Sequence, residues 1–245
     1  MPDVLSADRG ASAEPLPRPG EMDVPAIVRL WMVIFGFVPV LHLGASLLPL
    51  VLAATGLARL AILWLAPVII FLVPPLVVRT TLWLRPLRTG CVDLDSADFL
   101  HWWFTAQWQI LFARLPALEE LIRMVPGLYS MWLRLWGARV GALVYWSPRV
   151  VIIDRPFVHI GSRVVFGIGA TLNPHALAPN TTQRLALHLA PIVIGEDVLI
   201  GAYSHLLPGC EVDAGEVTPP FRTIHAFSRF AARRRVRRSG TERVE

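Results

Sequence analysis

No lysine occurs anywhere in the 245 residues, cysteine appears only twice, and charged side chains make up just 17% of the chain. The missing lysine means that arginine carries all the positive charge behind a formal net charge of +5. Such a balance suits anionic lipid head groups or phosphorylated cofactors as readily as nucleic acid, and no nucleic-acid-binding motif is present. Cys91 and Cys210 fall in different modules, so a structural disulfide is not expected and a reducing compartment is. The low charge has a counterpart in 54% hydrophobic residues and a mean hydropathy of +0.54, values that direct attention to membrane segments.

Residues 1–23 are rich in Pro, Gly, Ala and mixed charge without apolar periodicity, and read as a disordered tail. No charged side chain occurs from Leu30 to Ala58, nor from Leu60 to Val78. Each run is long enough to cross a ~30 Å hydrocarbon core, so residues 24–90 are expected to form a two-helix transmembrane hairpin. The first run is too long and starts too late for a secretory signal. The short break Thr55-Gly56-Leu57-Ala58-Arg59 forces the two helices to be antiparallel neighbours. Arg79, Arg85 and Arg88 outnumber Arg59, which places both ends in the cytoplasm and the chain in the cell (inner) membrane. Pro39, Pro49, Pro67, Pro74 and Pro75 should kink or end the helices. His42, the titratable group within the runs, is expected to have a packing role.

Residues 91–137 are dense in aromatics: Trp102, Trp103, Phe104, Trp108, Phe112, Trp132 and Trp136. Amphipathic helices lying in the membrane interface and helices packed on a neighbouring domain are equally consistent with them.

From Val140 the period becomes six. Val140, Trp146, Ile152 and Val158 are six apart; after a two-residue slip so are Ile160, Phe166 and Leu172; later come Ile194, Ile200, Leu206 and Val212. Glycine follows the apolar residue at Gly141, Gly161, Gly167, Gly195 and Gly201. An aliphatic then a small residue, every six, is the repeat of a left-handed parallel β-helix, in which the aliphatic points inward and the small residue permits the tight turn. Residues 138–217, less 174–191, supply roughly three coils. That is short for a solenoid, whose units bury their cores only against neighbours, so capping by the middle segment and by other subunits is expected. Residues 218–245 read as a basic tail carrying Arg233, Arg234, Arg235, Arg237 and Arg238, for lipid contact or solvation rather than CoA phosphates.

The strings IGSRVVFGIGATLNPH (160–175) and APIVIGEDVLIGAYSHLLPGCEV (190–212) resemble the hexapeptide-repeat acyltransferases, the family of maltose, galactoside and colanic-acid acetyltransferases. WLRLWGARVGALVY (132–145) is similar to the lead-in of its membrane-associated members, including the C-terminal part of poly-amino-acid synthetases. The resemblance implies an acyl-CoA co-substrate, with acetyl-CoA as the expected donor, no metal and a homotrimer. It also implies that His175 is the general base that takes a proton from an acceptor hydroxyl or amine. An imidazole titrating near neutrality suits that task, for a gain of about 10²–10⁴. Asn173 and Asp154 are candidates to orient the histidine or the acceptor, although an Asp at a turn is more often a cap. Gly201, Ala202 and Ser204 fall where family members pack the pantetheine arm, and are also what a coil needs by itself. His101, His159, His188, His205 and His225 are expected to be structural. The usual further coils and closing Gly-Asn-Pro-Ala-like string are replaced here by VTPPFRTIHAFSRFAARRRVRRSG.

The expectation is therefore a membrane-anchored, CoA-dependent acyltransferase acting on a lipid-linked or amphiphilic acceptor. The alternative is a catalytically silent trimeric β-helix scaffold. A channel is disfavoured, because two helices with few polar positions offer no pathway.

Overall fold

The computed structural model describes residues 24–52, 57–180, 184–231 and 234–237. The expectations for residues 1–23, Thr55, Gly56, Arg233 and Arg238 lie outside these. Helices α1 (Ala26–Gly36) and α2 (Val38–Leu52) run end to end, and α3 (Leu57–Leu84) packs on α2. The break at Phe37 precedes Pro39, whose ring cannot follow an uninterrupted turn. The other prolines do not end a helix: Pro49 lies inside α2, and Pro67, Pro74 and Pro75 lie inside the 28-residue α3. Ala26–Pro49 and Trp64–Leu84, with mean hydropathies of 2.0 and 1.9, are long and apolar enough to cross a membrane by length and composition. His42 packs as expected: its Nε2 lies 3.2 Å from the Ile69 carbonyl on α3, with its ring beside Trp108.

Strand β1 (Gly90–Asp93) leads into α4 (Ala97–Arg114), α5 (Ala117–Arg123) and α6 (Leu128–Leu135). Ser96 caps α4 by accepting the Phe99 N–H at 3.1 Å, and Asp98 adds a favourable charge in the first turn. The aromatics of this segment divide between two partners. Trp103, Phe104 and Trp108 turn to the N-terminal helices, Trp103 Nε1 donating to the Met32 carbonyl at 3.1 Å. Phe112, Trp132 and Trp136 are buried in one core with Val140, Ile160 and Phe166. That core plugs the open end of the next domain.

This domain is a three-sided parallel β-helix. Its first coil is β2 (Arg139–Val140), β3 (Tyr145–Trp146) and β4 (Val151–Ile152). After a 3-10 turn at Arg155–Phe157, the second is β5 (Val158–Ile160), β6 (Val165–Phe166) and β7 (Thr171–Leu172). A hairpin of β8 (His175–Pro179) and β9 (Leu185–Leu189) then leaves the coil, and β1 pairs antiparallel with β9. The third coil is β10 (Ile192–Ile194), β11 (Leu199–Ile200) and β12 (His205–Leu206). The fourth contains β13 (Glu211–Val212) and β14 (Thr223–Ile224), after which β15 (Ser228–Ala231) starts another turn and β16 (Arg234–Arg237) covers its edge antiparallel.

Register stacks the hexad residues in columns: Val140, Ile160, Ile194, Val212 and Phe230 on one face; Trp146, Phe166 and Ile200 on the second; Ile152, Leu172, Leu206 and Ile224 on the third. Trp146 and Phe166 stack with centroids 4.7 Å apart. Burying each such side chain contributes about 1.5–3 kcal/mol. At Gly161 the coils approach so closely that a Cβ would stand 2.7 Å from the Gly195 carbonyl carbon.

The coil continues beyond 217, where the apolar hexad was expected to stop and a basic tail to begin. The next inward position is Thr218, buried, whose Oγ1 accepts the Gly201 N–H at 2.8 Å. A polar residue here interrupts the apolar pattern without interrupting the fold, and Ile224 and Phe230 resume it.

Candidate functional site

Two irregularities in the hexad fall at the same corner of the triangle. The spacing put the two-residue slip after Val158, but Ile160 and not Val158 pairs with Val140, so the extra residues are the 3-10 turn between Ile152 and Val158; the long gap between Leu172 and Ile194 is the β8–β9 hairpin. The turn begins at Asp154, which holds a left-handed backbone (φ 49°); the hairpin begins at His175. Stacked on one another, they bring these side chains together.

His175 Nδ1 hydrogen-bonds Asp154 Oδ2. The other carboxylate oxygen accepts Trp102 Nε1–H at 3.2 Å, and the Trp102 and His175 rings meet edge to face at 4.8 Å. Asp154 is buried, its side chain 2% exposed, whereas His175 keeps 25%. In the neutral imidazole the proton therefore sits on Nδ1, facing the carboxylate, and the lone pair is left on Nε2. Burial pulls the His175 pKa down, but the hydrogen bond and negative charge of Asp154 more than offset this and raise it above its ordinary value. Such a pair can accept a proton at Nε2 and stabilise the resulting imidazolium.

Asp154 is fixed from behind by a buried polar cluster. The backbone N–H of Arg155 donates to Gln109 Oε1 at 2.8 Å, and its guanidinium reaches Gln109 and ion-pairs with Glu119. That guanidinium lies 5.4 Å from each of the Phe112, Trp132 and Trp136 rings, within cation–π range. Glu119 also accepts from Arg123 at 2.7 Å and from the Tyr129 hydroxyl at 2.6 Å. Burial pushes the Tyr129 pKa up, so the phenol remains a donor. The two arginines balance a buried carboxylate that would otherwise be costly.

Of the expected site residues, the structure thus brings His175 and Asp154 into contact. Asn173 lies two residues before His175, with its backbone N–H on the Leu206 carbonyl at 2.9 Å and its buried side-chain Oδ1 unpartnered. Gly201, Ala202 and Ser204 lie at another corner, between β11 and β12. Ser204 is fully buried, donating to the Pro219 carbonyl at 3.2 Å and accepting the Arg222 N–H at 3.3 Å. Its hydroxyl holds the next coil, and a Cβ on Gly201 would meet the Pro219 carbonyl at 2.4 Å. Trp102, Gln109 and Arg155 had no motif to announce them; the two-residue slip was the signal that pointed to their corner. Among the described residues, no group of His, Cys, Asp and Glu is arranged to hold a metal ion.

No family model and no curated protein matches the chain. Solved structures do. A hexapeptide-repeat-containing acetyltransferase from Vibrio cholerae, complexed with acetyl coenzyme A, is 18% identical over 50% of this chain and 80% of that one, with a TM-score of 0.39. A maltose O-acetyltransferase from Clostridium difficile is 13% identical over 51% and 84%, at 0.39. A galactoside acetyltransferase in complex with coenzyme A is 17% identical over 51% and 78%, at 0.31. These neighbours are hexapeptide-repeat acetyltransferases, at low identity and over part of the chain; none is a poly-amino-acid synthetase. At such scores the likeness carries no argument about the site, which rests on the geometry above.

Proposed function

We propose that the protein is a membrane-anchored, CoA-dependent acyltransferase in which His175 is the general base and Asp154 orients it. The observation that carries the reading is the partly exposed imidazole whose Nδ1 is held by a buried carboxylate, leaving Nε2 to receive a proton. An acceptor hydroxyl or amine gives its proton to Nε2 as its oxygen or nitrogen attacks the thioester carbonyl of acyl-CoA. The carbon–sulfur bond then breaks, and the imidazolium returns the proton to the leaving thiolate. Asn173, two residues from His175, is the candidate to orient the acceptor in this reading. In this reading the coil is left-handed, acetyl-CoA is the expected donor, and a lipid-linked or amphiphilic acceptor is presented at the cytoplasmic face of the inner membrane beside the helical hairpin.

A homotrimer belongs to the same proposal. Tyr145, Val165, Leu199 and Val217 stand in register on the outside of one sheet, and all four are exposed. The outward residues of the other faces are mainly polar, among them Arg139, Glu211 and Arg229 on one and Thr171, His205 and Thr223 on the other. An apolar stripe repeated on each coil suits burial against a second copy. Isothermal titration of the detergent-solubilised protein with CoA tests the enzyme against the silent scaffold: saturable binding is expected, and no heat at millimolar CoA contradicts it.

A further inference from the structure

The end of α3 meets the end of α6 at an open cavity of about 590 Å³ lined by Arg79, Arg134 and Arg139, with Gly137, Gly141 and Ile160. All three arginines are exposed. Arg79 donates to the Arg134 carbonyl at 2.7 Å, and Arg134 donates to the carbonyls of Val140 and Gly141, each at 2.8 Å. These acceptors are neutral, so they position the guanidiniums without cancelling their charge. No carboxylate among the described residues forms an ion pair with any of the three, and Arg139 makes no side-chain hydrogen bond there. Glu196 and Asp197, farther along the same corner of the coil, are engaged by Arg163. His159, in register with Arg139, is held below its ordinary pKa by burial and then by the arginine charge, and contributes no further partner. Three uncompensated guanidiniums around one open cavity form an anion site, and their planar forks match phosphate.

The source of the phosphate follows from α3. Leu72, Leu76, Arg79 and Trp83 recur at spacings of four, three and four, and so share one helix face. Leu72, Leu76 and Trp83 are exposed, Trp83 at 79%. This face is an apolar stripe that ends in an arginine and then a tryptophan, the order expected where acyl chains give way to head groups. We infer that the cavity binds the phosphate of an anionic membrane lipid whose acyl chain lies along Leu72 and Leu76. The inference rests on the reading of α3 as a membrane span, and it is separate from the acyl-transfer site at the β8–β9 corner.

Native mass spectrometry of the full chain in detergent, with phosphatidylglycerol and phosphatidylcholine of equal chain length, reads the preference directly. The wild-type protein retains phosphatidylglycerol in preference. Each arginine removed, in Arg139→Gln and then Arg79→Gln/Arg139→Gln, lowers the preference about fivefold. Equal retention of the two lipids by the wild type, or an unchanged preference in the double variant with an unchanged melting temperature, overturns the inference. Displacement of the lipid by equimolar inorganic phosphate makes this a soluble-phosphate site and overturns the lipid assignment. Carbonate washing of membranes separates the layers: a chain that stays in the pellet without lipid preference refutes the head-group site alone, whereas a chain that is released refutes the membrane span with it.

Discussion

The indole N–H of Trp102 donates to Asp154 at 3.2 Å, across 52 residues of sequence, and fixes the carboxylate that holds His175. A helix of the middle segment thereby sets the geometry of a corner of the β-helix. With one oxygen on the indole and the other on the imidazole, the carboxylate is held at both ends.

Asp154→Asn removes the charge and the preferred acceptor for Nδ1–H. Turnover should fall by about a hundredfold or more, within the range of general-base contributions. Without the carboxylate, burial alone governs the imidazole, so its pKa drops and the acid limb of the pH–rate profile moves to lower pH. Rates for wild type and variant across pH 5–9 check both effects; an unmoved limb contradicts the pairing.

The same pair makes a stability prediction. The folded-state pKa of His175 lies above its unfolded value of about 6.5, so the charged pair stabilises the fold fully below that value and the gain is lost as pH rises through the folded pKa. Urea midpoints for wild type and His175→Gln should differ more at pH 5.5 than at pH 9. A difference that grows with pH reverses the predicted sign.

Arg155→Met leaves Glu119 with Arg123 but opens the cage behind Asp154. Breaking a buried ion pair costs about 3–5 kcal/mol, and the lower end applies because one partner survives. Gln109→Met, which takes away the acceptor of the Arg155 N–H, should lower kcat with KM unchanged and displace the pH profile, the signature of a positioning residue. A change confined to melting temperature assigns Gln109 a structural role only.

Much of the β-helix was legible because its columns are read one residue in six: the register of Ile194 with Val212, three hexads on, follows the spacing of the apolar residues, whereas Val140 stacks with Ile160 and not with Val158. The extent of the coil was not, because Thr218 occupies an inward position and satisfies its hydroxyl on Gly201. Periodicity of apolar residues is blind to that solution. The resemblance pointed to His175, and Asp154 was a candidate to orient it or the acceptor that a turn cap explained more simply. Their contact depends on the slip at Ile152–Ile160, which one chain displays but does not explain until the corners are stacked. The cage of Arg155, Glu119 and Gln109 joins residues up to 46 positions apart and has no local signature.

Packing of the coil is tested by Gly161→Val. A side chain there meets backbone on the next coil, which cannot yield as a flexible side chain would. The strain is expected to cost about 1–3 kcal/mol, read as a lowered thermal midpoint. Ala142, one residue beyond the equivalent Gly141 and exposed at the turn, should accept Ser with little change.

The central claim is tested most directly by release of free thiol from acetyl-CoA in the presence of candidate hydroxyl and amine acceptors. The account predicts acceptor-dependent release by the wild-type protein and a loss of about 10²–10⁴ in His175→Ala. Equal release by both proteins contradicts it.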